Sequence, residues 1–140
     1  MNSFYARSVF FVRDAERALT YYTEDLGFSA DWSYQVEGRA HVFQVSLFGF
    51  ELILNQIDDR TRGRAGHGRA FIGLEEDQVE PLRLHIAAKG IEARRFDWGR
   101  STLVIRDLDA NELFFWLPEG DWADFEIPML ETSMVTEPGR

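Results

Sequence analysis

The chain has 140 residues, 45% of them apolar, with 12 phenylalanines, no cysteine and a formal net charge of −9. That length and apolar content can bury a core in one compact domain or two fused half-domains, and the lack of cysteine excludes disulfide scaffolds, thiolate metal sites and cysteine nucleophiles. The acidic balance disfavours nucleic acid, whose phosphates are held by Lys and Arg, and no apolar run is long enough to span a bilayer.

Asn2, Ser3, Tyr5 and Arg7 at the start lack the layout of a secretory leader, so the expectation is a cytoplasmic protein that meets neither membrane nor nucleic acid. In chain order, residues 8–12 are a short apolar run and read as a strand. Asp14 follows as a helix N-cap, with Ala18, Leu19, Tyr22 and Leu26 at helical spacing behind it. Gly27 sits where that helix needs a left-handed terminator. Strands follow at 28–34, 41–48 and 50–55, separated by Glu37-Gly38 and by Gly49. Residues 57–68, rich in Arg, Asp and Gly and without apolar period, read as a linker or a lid.

The same order then recurs. Residues 69–74 read as a strand, and Asp77 with Glu80 resembles a capping box. Pro81 falls where a first turn tolerates it, Val79, Leu82 and Ile86 form a buried stripe, and Gly90 ends the helix. Strands at 91–96, 101–106 and 112–117 complete the second copy, with Asp109-Ala110-Asn111 as the last turn. Phe50-Glu51-Leu52-Ile53-Leu54 is echoed by Asn111-Glu112-Leu113-Phe114-Phe115 about sixty residues later, a period too long and too few-copied for a solenoid. The organisation expected is a first module over 1–56, a linker over 57–68, a second module over 69–117 and a tail over 118–140.

The tail holds Glu119, Asp121, Asp124, Glu126, Glu131 and Glu137 against Arg140 alone, and so carries over half of the charge excess. It also carries Trp122, Phe125, Ile127, Met129 and Leu130. That content is too apolar for a purely disordered segment and suits one that lies across the domain or a neighbouring subunit.

Asp14-Ala15-Glu16-Arg17-Ala18, Tyr21-Tyr22, Leu26-Gly27-Phe28 and Arg106-Asp107-Leu108-Asp109-Ala110-Asn111 together resemble the signature positions of the vicinal oxygen chelate superfamily, which includes glyoxalase I, extradiol dioxygenases and bleomycin-resistance proteins. The resemblance runs over nearly the whole chain to Leu117. It implies an α+β fold of two paired βαβββ modules, glyoxalase/bleomycin-resistance-like, forming a concave mixed-sheet cleft with the helices outside. The run 26–32 and Trp98-Gly99-Arg100, followed by Arg106-Asp107, are similar to the bleomycin-resistance-like, antibiotic-binding branch. Proteins of that branch act by binding alone, as dimers with ligand grooves between subunits, so a homodimer is implied.

Enzymes of the superfamily take a divalent metal from four cleft-facing positions, usually His and Glu. Placed on that pattern, this sequence has Arg7, Ile53, Arg69 and Phe114 there, and none can ligate a cation. A guanidinium about 5 Å from a dication repels it by about 7 kcal/mol at an effective dielectric near 20. Neither a metal nor another cofactor is expected. A slip of two residues, which preserves facing, would restore Glu51, His67 and Glu112 as candidate ligands and keep a metal-dependent lyase or dioxygenase open as the rival. His41 and His85 read as ordinary surface or satisfied histidines.

Strand alternation points Arg7, Val9, Phe11, Glu51, Ile53, Asn55, Arg69, Phe71, Glu112, Phe114 and Trp116 into the cleft, with Trp32, Trp98 and Arg100 beside it. Such a lining binds flat organic molecules by stacking and desolvation, with Glu51 and Glu112 to draw in a cationic group and the arginines an anionic one. The expected partner is a small organic ligand, most concretely a bleomycin-like, planar or cationic antibiotic that is sequestered without catalysis. Aromatic residues on sheet faces are as often plain core. No phosphate-binding loop, catalytic triad or other nucleophile stands out, and Glu51 or Glu112 would be the acid or base of a metal-free enzyme.

Overall fold

The computed structural model describes residues 6–97 and 101–116. In chain order these form β1 (Ser8–Val12), α1 (Ala15–Thr20), β2 (Ser29–Val36), β3 (Arg39–Leu47), β4 (Phe50–Gln56), β5 (Arg69–Gly73), α2 (Glu76–Lys89), β6 (Ala93–Asp97), β7 (Ser101–Arg106) and β8 (Glu112–Trp116). The strands make two four-stranded mixed sheets, ordered β1-β4-β3-β2 and β5-β8-β7-β6. In each sheet the first strand runs parallel to the last and the other neighbours are antiparallel. The repeat is therefore two βαβββ modules, and the sheets form the cleft of the glyoxalase/bleomycin-resistance fold.

Alternation along the strands explains the core. Phe10 and Val12 of β1 share a buried face with Val45 of β3 and Leu52 and Leu54 of β4, and Ile72, Leu103, Ile105, Leu113 and Phe115 do the same in the second sheet. They join Ala18 and Tyr22 on one side and Val79, Leu82 and Ile86 of α2 on the other in a single core that crosses both modules. Each large side chain fully buried there contributes about 1.5–3 kcal/mol.

Asp14 caps α1 as expected, its Oδ1 accepting from the Arg17 amide at 3.1 Å. Beyond Thr20 the helix widens into one π turn over Tyr21–Asp25, closed by the Leu26 amide on the Tyr21 carbonyl, before Gly27 turns the chain at φ +82°. The start of α2 differs from expectation. The cap is Glu75, whose amide donates to Gln78 Oε1 at 2.8 Å, so Asp77 lies within the first turn and Pro81 in the helix interior. Buried Leu74 fixes that earlier start, because it binds the chain to the β8 end through its amide and the Trp116 carbonyl. The connection over 57–68 is shaped by Asp58, which accepts from the Arg60 and Thr61 amides, by a short turn at Arg62–Arg64 and by buried Ala65.

The modules are stitched by the residues that resemble the superfamily signature. The Tyr22 hydroxyl donates to Asp107 Oδ2 at 2.8 Å, and Asp107 also accepts from the Asn111 side chain and from the amides of Asp109 and Asn111. Asn111 in turn donates to the Phe11 carbonyl at 3.0 Å and accepts from the Gly68 amide at 2.8 Å. Arg13 closes the set, giving both its amide and its guanidinium to Asp109 Oδ1.

Candidate functional site

The face of each sheet turned away from the helices carries the polar and aromatic residues that alternation places there. On the first sheet, register sets Val9 beside Ile53, Gln44 and Trp32, and Phe11 beside Asn55, Val42 and Tyr34. Val9, Trp32 and Tyr34 are exposed and Phe11 and Ile53 half-buried, with the Arg64 guanidinium 5.4 Å from the centre of the Phe11 ring. On the second sheet, Phe71 lies beside Phe114 and Val104, and Trp116 beside Thr102. Phe71 and Trp116 meet edge to face with centroids 4.5 Å apart, as do Phe96 and Phe114 at 6.3 Å.

Charge is arranged in the same way on both sheets. Arg7 Nε donates to Glu51 Oε1 at 3.0 Å, and Arg69 Nε donates to Glu112 Oε1 at 3.0 Å. The repeat thus preserves an Arg–Glu pair between the first and last strands of each module. Arg106 adds a second guanidinium to Glu112, at 3.1 Å from Oε2. The carboxylates expected to attract a cationic ligand are therefore already held by arginines.

On this face Asp31, which alternation alone does not place there, makes no ion pair with the described residues. A bulge between Ala30 and Trp32 leaves Asp31 as the extra residue of β2, and its carboxylate accepts from Ser46 Oγ at 3.1 Å and Gln44 Nε2 at 3.1 Å. A bulge re-aims a side chain in this way, and no motif around residues 29–32 announces one. Gln44 also donates to Glu51 Oε2 at 3.3 Å, is only 3% exposed, and leaves its Oε1 without a partner among the described residues. Asp31, Gln44, Arg64 and Arg106 are the residues that strand counting missed.

The four positions that the resemblance assigns to a metal carry side chains that do not fit one. Arg7 is engaged by Glu51, Ile53 is hydrocarbon, and the Arg69 guanidinium lies 4.3 Å from the centre of the Phe114 ring. Among the described residues no three of His, Asp or Glu are grouped to hold a metal ion. His67, of the shifted register, sits exposed on the connection, and the two glutamates of that register are the arginine-paired ones. Trp98 and Arg100 fall outside the described residues, as does the tail. His85 contacts the Asp25 carbonyl through Nε2, and among the described residues no helix is long and apolar enough to cross a membrane.

Burial sets the ionisation of the stitch. It pushes Tyr21 up to about 12, with the nearby Asp107 charge adding to the effect, and it raises Tyr22 well above the ordinary tyrosine value. Asp107 is raised by burial against the opposing pull of the hydrogen bonds from Tyr22 and Asn111.

Residues 5–115 match the model of the Glyoxalase/Bleomycin resistance protein/Dioxygenase superfamily. The chain belongs to that superfamily. No curated protein sequence matches it. Among solved structures, the bleomycin-binding protein of Streptomyces verticillus, complexed with copper(II)-bleomycin, is similar at TM-score 0.63 and 17% identity, over 85% of this chain and 100% of its own. TnmS3, an antibiotic-binding protein from Streptomyces sp. CB03234, gives TM-score 0.58 and 20% identity over 85% and 100% of the two chains. Lactoylglutathione lyase from Agrobacterium tumefaciens gives TM-score 0.58 and 15% identity over 83% and 94%. At these identities the likeness is one of fold alone.

Proposed function

We propose that this superfamily member is a metal-free receptor that sequesters a planar, cationic organic molecule, an antibiotic being the concrete case. The reading rests on the four positions that the resemblance assigns to metal ligands, which hold Arg7, Ile53, Arg69 and Phe114, with both guanidiniums engaged by carboxylates and that of Arg69 also laid over the Phe114 ring. Such a set repels a dication. The likeness in fold to a bleomycin-binding protein and to an antibiotic-binding protein supports the same direction.

Exposed Trp32 and Tyr34 supply faces for stacking on the first sheet, and Phe11, Ile53, Phe71 and Trp116 extend the apolar lining, whereas Phe114 lies fully buried beneath the Arg69 guanidinium. Asp31 takes over the attraction of a positive group, because Glu51 and Glu112 are neutralised by Arg7, Arg69 and Arg106. The protein is proposed to act as a cytoplasmic homodimer, with the fully exposed β2 at the free edge of its sheet as the strand available for a second subunit.

Calorimetric titration with bleomycin-type and other planar cationic drugs tests the reading. Binding is expected at micromolar concentrations or below, weakened at least tenfold in Trp32→Ala and in Asp31→Asn. Absence of heat at high micromolar concentration removes the drug-binding version. Stoichiometric zinc, nickel, manganese or iron in the purified protein, lost in Glu51→Ala or Glu112→Ala, would favour a metal-dependent lyase or dioxygenase instead.

A further inference from the structure

The charges on the helix-free face of the first sheet are sorted by position. The register lays three rows across the strands: Glu51 and Ser46, then Val9, Ile53, Gln44 and Trp32, then Phe11, Asn55, Val42 and Tyr34. In the first row Glu51 is held by Arg7. Asp31 stands over the same end, its two oxygens bonded to Ser46 Oγ and Gln44 Nε2, and makes no ion pair with the described residues. At the other end the exposed Arg64 guanidinium lies over the Phe11 ring at 5.4 Å, likewise without an ion pair among the described residues. The floor between them is uncharged, with Val9, Trp32 and Tyr34 exposed and Ile53 and Val42 half-buried. Ser46 and Gln44 hold the Asp31 carboxylate above β3 between the first two rows, and Phe11 sets Arg64 above β1 in the third, with β4 between the two strands. Asp31 and Arg64 are therefore separated by about 10 Å along the strands and two strand spacings across them, or about 14 Å in all. The second face has no such arrangement, because Glu112 sits in one row with Arg69 and Arg106, both of which bond it.

We propose that the first-sheet face reads a flat zwitterion, with Asp31 taking the cationic end, Arg64 the anionic end and the aromatic floor the core between them. The inference rests on the proposed receptor reading and narrows it, because the ligand must carry a carboxylate or similar anion at the end remote from its cation. At about 14 Å the two protein charges lie beyond the screening length of about 8 Å at physiological salt, so neither neutralises the other and each keeps its charge for a ligand. A flat molecule long enough to cover Phe11 strips water from the guanidinium above that ring. Without an anion this desolvation is uncompensated; with a carboxylate, the planar fork of Arg64 returns two parallel charge-assisted bonds. The backbone behind Arg64 is held in place for this role. Its amide bonds the Thr61 carbonyl in the short turn at Arg62–Arg64, and Ala65, next in the chain, is buried. Arg62 of the same turn is paired with Asp59. Arg64 is therefore a specificity-determining residue supplied by the connection over 57–68, the kind of surface segment that carries recognition on a rigid scaffold.

A pair of probes that share a flat cation and differ in their anion tests this on the full chain: 6-amidinonaphthalene-2-carboxylate and its methyl ester. Calorimetric titration is expected to show the acid binding roughly tenfold more tightly than the ester, the contribution of one charge-assisted bidentate pair. That ratio is expected to fall to about one in Arg64→Gln and to recover in part in Arg64→Lys, which keeps the charge and loses the fork. On the native chain it should also narrow as ionic strength rises, a readout that needs no variant. Equal affinity of acid and ester for the native chain, or a preference for the acid that survives Arg64→Gln, overturns the proposal. If the two bind equally and both are weakened several-fold in Asp31→Asn, the zwitterion fails and the receptor for cations stands. If the acid keeps its dependence on Arg64 while Asp31→Asn changes neither probe, the cationic end is wrongly placed and the proposal falls with it. Failure of both probes to give heat at millimolar concentration removes the receptor reading and this inference together.

Discussion

Gly66 shows how little room the stitch between modules leaves. Its φ is +83°, and a Cβ there would stand 2.1 Å from the Asp109 carbonyl oxygen, a backbone atom that cannot swing aside. Gly66→Ala therefore combines left-handed strain with a clash and is expected to cost at least about 2 kcal/mol, read as a lower denaturant midpoint at unchanged slope. Single residues were unevenly legible. Asp14 and Gly27 announced their roles because capping and left-handed termination are local chemistry. Asp31 did not, because its direction depends on a bulge opposite β3, and the fate of Glu51 and Glu112 depended on which arginine stood across the sheet.

Among the elements, α2 is the one whose sequence conflicts with its conformation. Pro81 lies in the interior of the helix, where it has no N–H to give to Asp77 and its ring crowds that carbonyl. Pro81→Ala is expected to stabilise the protein by about 1–2 kcal/mol, less than the full intrinsic difference because the unfolded chain gains freedom, and a thermal melt shifted upward by a few degrees would show it. The element is held by Val79, Leu82 and Ile86 and by its Gly90 terminus at φ +63°, so tertiary burial outweighs propensity. Its buried stripe was legible from spacing. Its first residue was not, because Asp77 is the better cap by residue type and the start at Glu75 follows from the anchoring of Leu74.

At the scale of the whole molecule, the contact between Tyr22 and Asp107 ties the two modules into one core, and it makes stability depend on alkaline pH. Both Tyr21 and Tyr22 titrate higher in the folded protein than in the unfolded chain, so their contribution is complete below about pH 10 and is lost as pH rises through the folded value, about 12 for Tyr21. Asp107 is also raised, so its own favourable term belongs to acid conditions and is already lost at neutral pH. Denaturant midpoints are expected to fall between pH 10 and 12. Tyr22→Phe should begin about 1–2 kcal/mol less stable at pH 7, from the lost hydrogen bond, and fall less steeply over the alkaline range.

By itself the sequence determined the repeat, the order of strands and helices and the faces of most strands, because periodicity and turn residues act over a few neighbours and the two copies report the same answer twice. The resemblance read from it implies that arginine, isoleucine and phenylalanine stand where superfamily enzymes chelate. Only the tertiary structure decided which arginines hold Glu51 and Glu112 and that Asp31 turns toward Gln44 and Ser46. Those outcomes are set by partners between 13 and 44 positions away in the chain, and a local pattern contains no information about a neighbour brought that far by folding.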